Sequence, residues 1–186
     1  TCAKGGKKIN LLVDIAYIDF AAERKIAWSF TNKFGDIPEN ILTLISFSMS
    51  KSYTFYGQRT GALAAYSSDE NVIKEFEDTN KFSCRAIWSN VNNGAQVICA
   101  KLYRDKNLRD SLEKDQATLR ELVNKRAKIF VDEAQSCGLK IVPYRGGFFI
   151  AVPSDNPVAV CEKLKKDLIF AVPLQLGIRV AACSMP

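Results

Sequence analysis

Three short apolar runs, KINLLVD (residues 8–14), ILTLISFS (41–48) and GALAAYS (61–67), lack the strict alternation of a strand with one face in water. Runs of this kind read as central strands covered on both faces. Helical stretches follow them. Asp69 is placed to cap a helix carrying Val72, Ile73, Phe76 and Ile87. A longer helix, about 107–137, has Leu108, Leu112, Leu119, Leu122 and Phe130 at helical spacing and stops at Gly138, as a left-handed C-terminal cap would. The alternation predicts an α/β fold with a mostly parallel sheet.

Beyond Gly138 the texture changes. GGFFIAV (146–152), a helix from about 156 to 166, and the runs IFAVPL and IRVAAC describe a smaller α+β unit, with Pro143 to Gly147 as the return turn. A boundary within or just after the long helix divides the chain into 1–125 and 126–186. With 186 residues, 47% hydrophobic and 25% charged, the chain is long enough for a real core.

Several function classes are disfavoured by what the chain lacks. It has no histidine, which removes triad-type serine or cysteine catalysis and the usual metal partner of cysteine. Its six cysteines, Cys2, Cys84, Cys99, Cys137, Cys161 and Cys183, form no C-x-x-C pair and read as reduced thiols of a cytoplasmic protein. No apolar stretch approaches the ~20 residues of a membrane span, and TCAKGGKK is not a secretory signal. The net charge of +6 would suit a polyanion, but the basic residues between Lys101 and Lys128 are interleaved with acids in i,i+4 pairs such as Asp110 with Lys114 and Glu121 with Lys125. That is a solvated helix face, and no nucleic-acid partner is expected.

In a parallel sheet, ligands bind beyond the carboxyl ends of the strands. Asp14 ends the first run, and Ser48 to Lys51 end the second. Taken singly, Asp14 reads as a turn or helix cap and Lys51 as a surface lysine. Arg59, eight residues after Lys51, changes the balance. A desolvated lysine forms Schiff bases, an aspartate holds a pyridine nitrogen protonated, and serine hydroxyls with an arginine fork suit a phosphate. A ligand with an aldehyde, a basic ring nitrogen and a phosphate meets all three demands, and pyridoxal 5′-phosphate is such a ligand.

The stretch SFSMSKSYTFYGQRTG (46–61) resembles the pyridoxal-lysine signature of the fold-type I, class I aminotransferases, the aspartate/aromatic aminotransferase family. DIAY (14–17) resembles the family motif that binds the pyridine nitrogen and the ring hydroxyl. CRAIWSN (84–90) is similar to the segment reaching into the neighbouring subunit, and IRVAAC carries an arginine where the family binds the substrate α-carboxylate. Thr54 and Thr60 depart from the usual signature, where the family prefers a smaller or aliphatic residue and an aliphatic one, respectively.

The resemblance implies that Lys51 forms the Schiff base and moves the proton at the substrate Cα. It implies Asp14 on the ring nitrogen, Tyr17 on the phenolic oxygen, Ser48, Ser50 and Arg59 on the phosphate, and Arg179 on the substrate carboxylate. Arg85, with Trp88, Ser89 and Asn90, would face a second subunit of a homodimer, Arg85 reading a substrate side chain. Residues 1–125 would then be the remainder of the large cofactor-binding domain and 126–186 the small domain. The substrates would be an amino acid, aspartate, glutamate or an aromatic one, and a 2-oxo acid. In the family a phosphate loop, a stacking aromatic and an asparagine precede the D-x-A-Y strand, whereas thirteen residues precede Asp14, and a last helix follows the position of Arg179. The expectation is therefore a C-terminal portion of such an enzyme, inactive by itself. The competing expectation is a non-catalytic binding or interaction domain that keeps the sheet without the chemistry.

Overall fold

The computed structural model describes residues 2–185, with side chains from Lys4 onward, so the side chain of Cys2 lies outside the described residues. The chain divides into two compact units. The first takes the chain through Ile18 together with Lys25–Lys114, and the second takes Asp19–Arg24 and the chain from Asp115 onward.

In the first unit β1 (Ile9–Asp14), β2 (Ile41–Ser48) and β3 (Gly61–Tyr66) form a three-stranded sheet in the order β1-β2-β3. β1 runs parallel to β2, with Asp14 opposite Ser46, whereas β3 is antiparallel to β2, with Ser48 opposite Gly61. The expectation of a mostly parallel sheet is corrected here. The segment after β2 folds back on itself: the Met49 amide donates to the Thr60 carbonyl at 3.0 Å and the Phe55 amide to the Met49 carbonyl at 3.2 Å. A connection closed in this way returns the chain beside the strand it left, whereas a parallel neighbour needs a crossover over the sheet face.

The expectation that all three strands are covered on both faces is also corrected. β2 is half-buried along its length, with Thr43 fully buried, but Leu11 and Leu12 of β1 and Leu63 and Tyr66 of β3 are exposed. An apolar run records that cover is energetically favourable, and among the described residues the outer strands do not have it.

Between β1 and β2 lie a short helix, α1 (Arg24–Trp28), and a 3₁₀ turn, Ser29–Lys33, with Phe30 stacked on Trp28 and edge-on to Phe34. A one-turn helix, α2 (Met49–Ser52), follows β2, and α3 (Glu70–Ile87) and α4 (Asn93–Arg104) follow β3. The expected cap of α3 is present, Asp69 Oδ1 accepting from the Asn71 amide at 2.9 Å. Asn92 caps α4 in the same way through the Ala95 amide at 3.1 Å.

The long helix α5 (Lys106–Ser136) begins in the first unit, and its remainder belongs to the second. It ends where the sequence indicates, with Gly138 at φ +71°. Its polar face carries Lys106–Asp110 at 2.5 Å and Lys128–Asp132 at 2.6 Å, so Asp110 takes a partner one turn earlier as well as being spaced for Lys114. In the second unit β4 (Phe149–Pro153), β5 (Val172–Leu174) and β6 (Gly177–Ala181) make an antiparallel sheet in the order β4-β6-β5, with α6 (Pro157–Lys166) between β4 and β5.

Val123 and Ala127 of α5 pack with Ile150 and Ala182, and Val152, Cys161 and Ile178 form the adjoining cluster. Burying a side chain such as Ile150 contributes about 1.5–3 kcal/mol. The turn before β4 does more than return the chain. It is stitched to Asp19–Arg24: the Gly147 amide donates to the Phe20 carbonyl at 2.9 Å, the Ala22 amide donates to the Arg145 carbonyl at 3.2 Å, and the Phe20 ring sits edge-on to Phe148. Arg120 closes this patch on the Asp19 carbonyl at 3.1 Å. The Tyr144 hydroxyl donates to the Gly147 carbonyl at 2.6 Å, and burial pushes its pKa up.

One strained position yields a stability prediction. α6 is followed by Leu168 in the left-handed region, φ +59°, with its side chain exposed and the Ile169 amide closing on the Leu164 carbonyl at 3.0 Å. A Cβ at this C-terminal cap position is unfavourable by roughly 1–2 kcal/mol, a cost glycine avoids in the fold and partly repays through unfolded-state entropy. Leu168→Gly is expected to raise stability by about 0.5–1 kcal/mol, read from the denaturant midpoint. A lower midpoint would contradict the strain assignment.

Candidate active site

β2 delivers its carboxyl end to Ser48, whose extended backbone (φ −137°) and side chain cap α2: Ser48 Oγ accepts from the Ser50 amide at 3.1 Å. The single turn of α2 then sorts its residues by face. Met49 and Ser52 are buried, while Ser50 and Lys51 are half-buried and reach outward. Lys51 therefore does not close the strand, as the sequence suggested, but projects from a capped turn beyond it.

The loop continues through Thr54, in the left-handed region at φ +54°, to a 3₁₀ turn, Tyr56–Gln58. Thr54 is one of the two departures from the family signature, and it is a β-branched residue at a positive φ, where such side chains are outliers. Arg59 is also left-handed, φ +52°, which folds its side chain back toward the loop. Arg59 Nη1 donates to the Tyr56 carbonyl at 2.8 Å and to Ser50 Oγ at 3.3 Å.

The Tyr56 ring is within cation–π range of both cations of the loop. Lys51 Nζ is 4.5 Å from its centroid and Arg59 Cζ is 4.9 Å from it. Lys51 Nζ is also 5.7 Å from the Tyr17 ring, so the turn after β1 contributes to the same place. Asp14, at the end of β1, is exposed and accepts from the Ala16 amide at 2.9 Å, the turn-capping partner that its sequence position allows. With Val13, Ile15, Tyr17, Ile18, Ala27 and Phe30 it lines a hollow of ≈ 400 Å³.

Ser48, Ser50, Lys51, Arg59 and Tyr17 are thus brought together at one end of the sheet, with Asp14 on the neighbouring strand end. Arg85 is elsewhere in the same unit, on the last turn of α3, exposed and donating to Ser89 Oγ at 2.9 Å. Trp88 is exposed too, and Ser89 is left-handed at φ +67°. Arg179 belongs to the second unit, on β6, with its guanidinium 4.4 Å above the Phe149 ring.

Sequence reasoning missed two aromatic residues at these sites. Tyr56 touches both loop cations, and its signal was an aromatic three residues before the arginine in YGQR. Phe149 lies under Arg179, marked by the double phenylalanine of GGFFIAV.

The family model described as Aminotransferase class I and II matches residues 3–184, and the chain belongs to that family. It is similar to a solved aminotransferase of Anaerococcus prevotii DSM 20548, with 38% identity and a TM-score of 0.94 over 99% of this chain and 45% of that one. It shares its fold with the aromatic-amino-acid aminotransferase of Burkholderia pseudomallei covalently bound to pyridoxal phosphate, at 20% identity and TM-score 0.73, over 95% of this chain and 44% of that one. The mitochondrial aspartate aminotransferase of Xenopus tropicalis is 28% identical over 119 residues, 62% of this chain and 27% of the relative. The chain thus spans less than half the length of the proteins it matches.

Proposed function

We propose that the protein is a pyridoxal-phosphate-dependent aminotransferase, moving an amino group between an amino acid (aspartate, glutamate or an aromatic one) and a 2-oxo acid. The observation that carries this reading is the loop in which Lys51 Nζ and the Arg59 guanidinium both lie against the Tyr56 ring, with Ser50 Oγ on the arginine, in a member of the aminotransferase family. The donor set suits the cofactor. A half-buried amine and an arginine with two serine hydroxyls match an aldehyde and a phosphate on one molecule, and an exposed carboxylate on the adjacent strand end matches a ring nitrogen.

When bound, pyridoxal phosphate supplies an electron sink that makes the substrate Cα–H acidic. The chain's own residues do the rest. Lys51 Nζ would hold the cofactor aldehyde and, once the substrate amine had displaced it and left it a free amine, would accept the proton from Cα. Ser48, Ser50 and Arg59 would anchor the phosphate, Asp14 would keep the ring nitrogen protonated, and Tyr17 would donate to the ring oxygen. Arg179 clamps the substrate carboxylate with two parallel hydrogen bonds, which orients the Cα bonds. In this reading 1–125 is assigned to the large domain and 126–186 to the small one, whereas the compact units divide at Lys114 and give Asp19–Arg24 to the second, and the enzyme works as a cytoplasmic homodimer in which Arg85 faces the partner's site. Unpaired Cys84, Cys99, Cys137, Cys161 and Cys183 favour a reducing compartment, although the Xenopus relative is named as mitochondrial.

The test adds pyridoxal phosphate to the full-length protein, fixes the adduct with borohydride and maps it by peptide mass. The expected result is a single labelled residue, Lys51, and loss of label in Lys51→Ala. A visible absorbance band that persists in Lys51→Ala would overturn the assignment.

A further inference from the structure

We infer that Tyr56 is a positioning residue that holds the Lys51 amine and the Arg59 guanidinium at a set spacing, so that an aldehyde carrying a phosphate is captured at two points at once. The inference rests on the reading of Lys51 and Arg59 proposed above.

Two cations on one short loop repel each other, and each needs a reason to stay. The Tyr56 ring provides it for both: Lys51 Nζ stands 4.5 Å and Arg59 Cζ 4.9 Å from one centroid, within the range at which an aromatic face attracts a cation. The residue holds the arginine a second time, since the Tyr56 carbonyl accepts from Arg59 Nη1 at 2.8 Å.

Tyr56 is itself 61% exposed, so packing alone does not fix it. Its turn is held from the start of α4 instead. Asn92, the cap of α4, donates from Nδ2 to the Gln58 carbonyl at 3.1 Å and to Gln58 Oε1 at 2.8 Å. The Gln58 amide closes the turn on Phe55 at 3.1 Å. A ring anchored in this way is a spacer between an amine and a phosphate site. A ligand that fits both ends gains from the spacing, and a ligand with one end only does not.

The experiment compares two probes, pyridoxal phosphate and pyridoxal, on full-length protein freed of cofactor. The Lys51 nitrogen adds to the aldehyde carbon, the carbonyl oxygen leaves as water, and borohydride delivers hydride to the C=N bond, so that Lys51 label is counted by mass against time. Tyr56→Leu is expected to slow labelling by pyridoxal phosphate about fivefold to thirtyfold, the loss of two cation–ring contacts, while labelling by pyridoxal changes less than about twofold. Tyr56→Phe, which keeps the ring, should retain the preference for the phosphorylated probe. Tyr56→Met serves the same purpose as leucine should that variant fail to fold. Equal slowing with both probes, or an unchanged preference in both ring-less variants, would overturn the inference. Two controls separate its failure from that of the underlying reading: label persisting in Lys51→Ala removes the lysine assignment, and a preference unchanged in Arg59→Gln removes the phosphate assignment.

Discussion

Replacing Arg85 by leucine in the full-length protein is expected to lower kcat/KM for aspartate and glutamate by about 2–5 kcal/mol of transition-state binding, the cost of breaking a charge pair that would be buried where the proposed dimer partner covers this arginine. That is roughly a thirtyfold to several-thousandfold loss. Tyrosine, which brings no second carboxylate, should change little. The arginine lies on the last turn of α3, exposed, with Ser89 Oγ as its hydrogen-bond partner at 2.9 Å. A single hydroxyl leaves most of its five donors for a bidentate partner. In the proposed reading Arg179 takes the α-carboxylate shared by all amino acids, so discrimination has to come from another group, and an Arg85 desolvated by a partner subunit and left without a carboxylate would disfavour an apolar substrate. Measuring kcat/KM for aspartate, glutamate, tyrosine and alanine decides the point, and equal losses for all four would exclude Arg85 from side-chain recognition.

Gly61→Ala is expected to destabilise the first unit by about 1–3 kcal/mol, the range for inserting atoms into filled space, and to weaken pyridoxal phosphate binding with it. Gly61 pairs with Ser48 where the loop closes, and a Cβ there would lie 2.4 Å from the Phe47 carbonyl oxygen. Backbone cannot swing aside as a flexible side chain can. Relief requires the two strands to part at the residues that launch α2 and end the Arg59 turn, so stability and ligand binding fall together. Gly57, in the same loop with nothing within 4 Å of its added Cβ, is the control, and Gly57→Ala should be neutral or slightly stabilising. Denaturant midpoints of the two variants check this. Equal shifts would mean that the close approach at Gly61 carries no special cost.

Local chemistry was legible along the chain. Asp69 announced the start of α3, Gly138 the end of α5, and the spacing of Ser48, Lys51 and Arg59 announced a loop able to meet an aldehyde and a phosphate. These features depend on residues within a few positions of one another, where propensity, capping and reach decide the outcome. The same locality explains the errors. The apolar run GALAAYS showed that a strand forms but not which way it runs, because direction depends on the Met49–Thr60 and Phe55–Met49 hydrogen bonds that close the loop. Hydrophobicity likewise predicted cover over Leu12 and Leu63, but cover is a property of neighbouring layers, not of the run itself.

The amino-acid order by itself determined the main strands and helices and the family to which the chain belongs, since each is written in short patterns whose physics is local. Only the tertiary structure decided that β3 turns back antiparallel, that Asp19–Arg24 joins the unit of β4 to β6, and that Tyr56 lies against both Lys51 and Arg59. Those outcomes depend on left-handed turns at Thr54 and Arg59, on a cap from Asn92 that reaches 34 residues back to Gln58, and on pairings between residues far apart in the chain. The strand pairings and the Asn92–Gln58 contact join residues far apart, and the Tyr56 contacts, although close in sequence, need the left-handed loop, so their energies exist only once the chain has closed on itself.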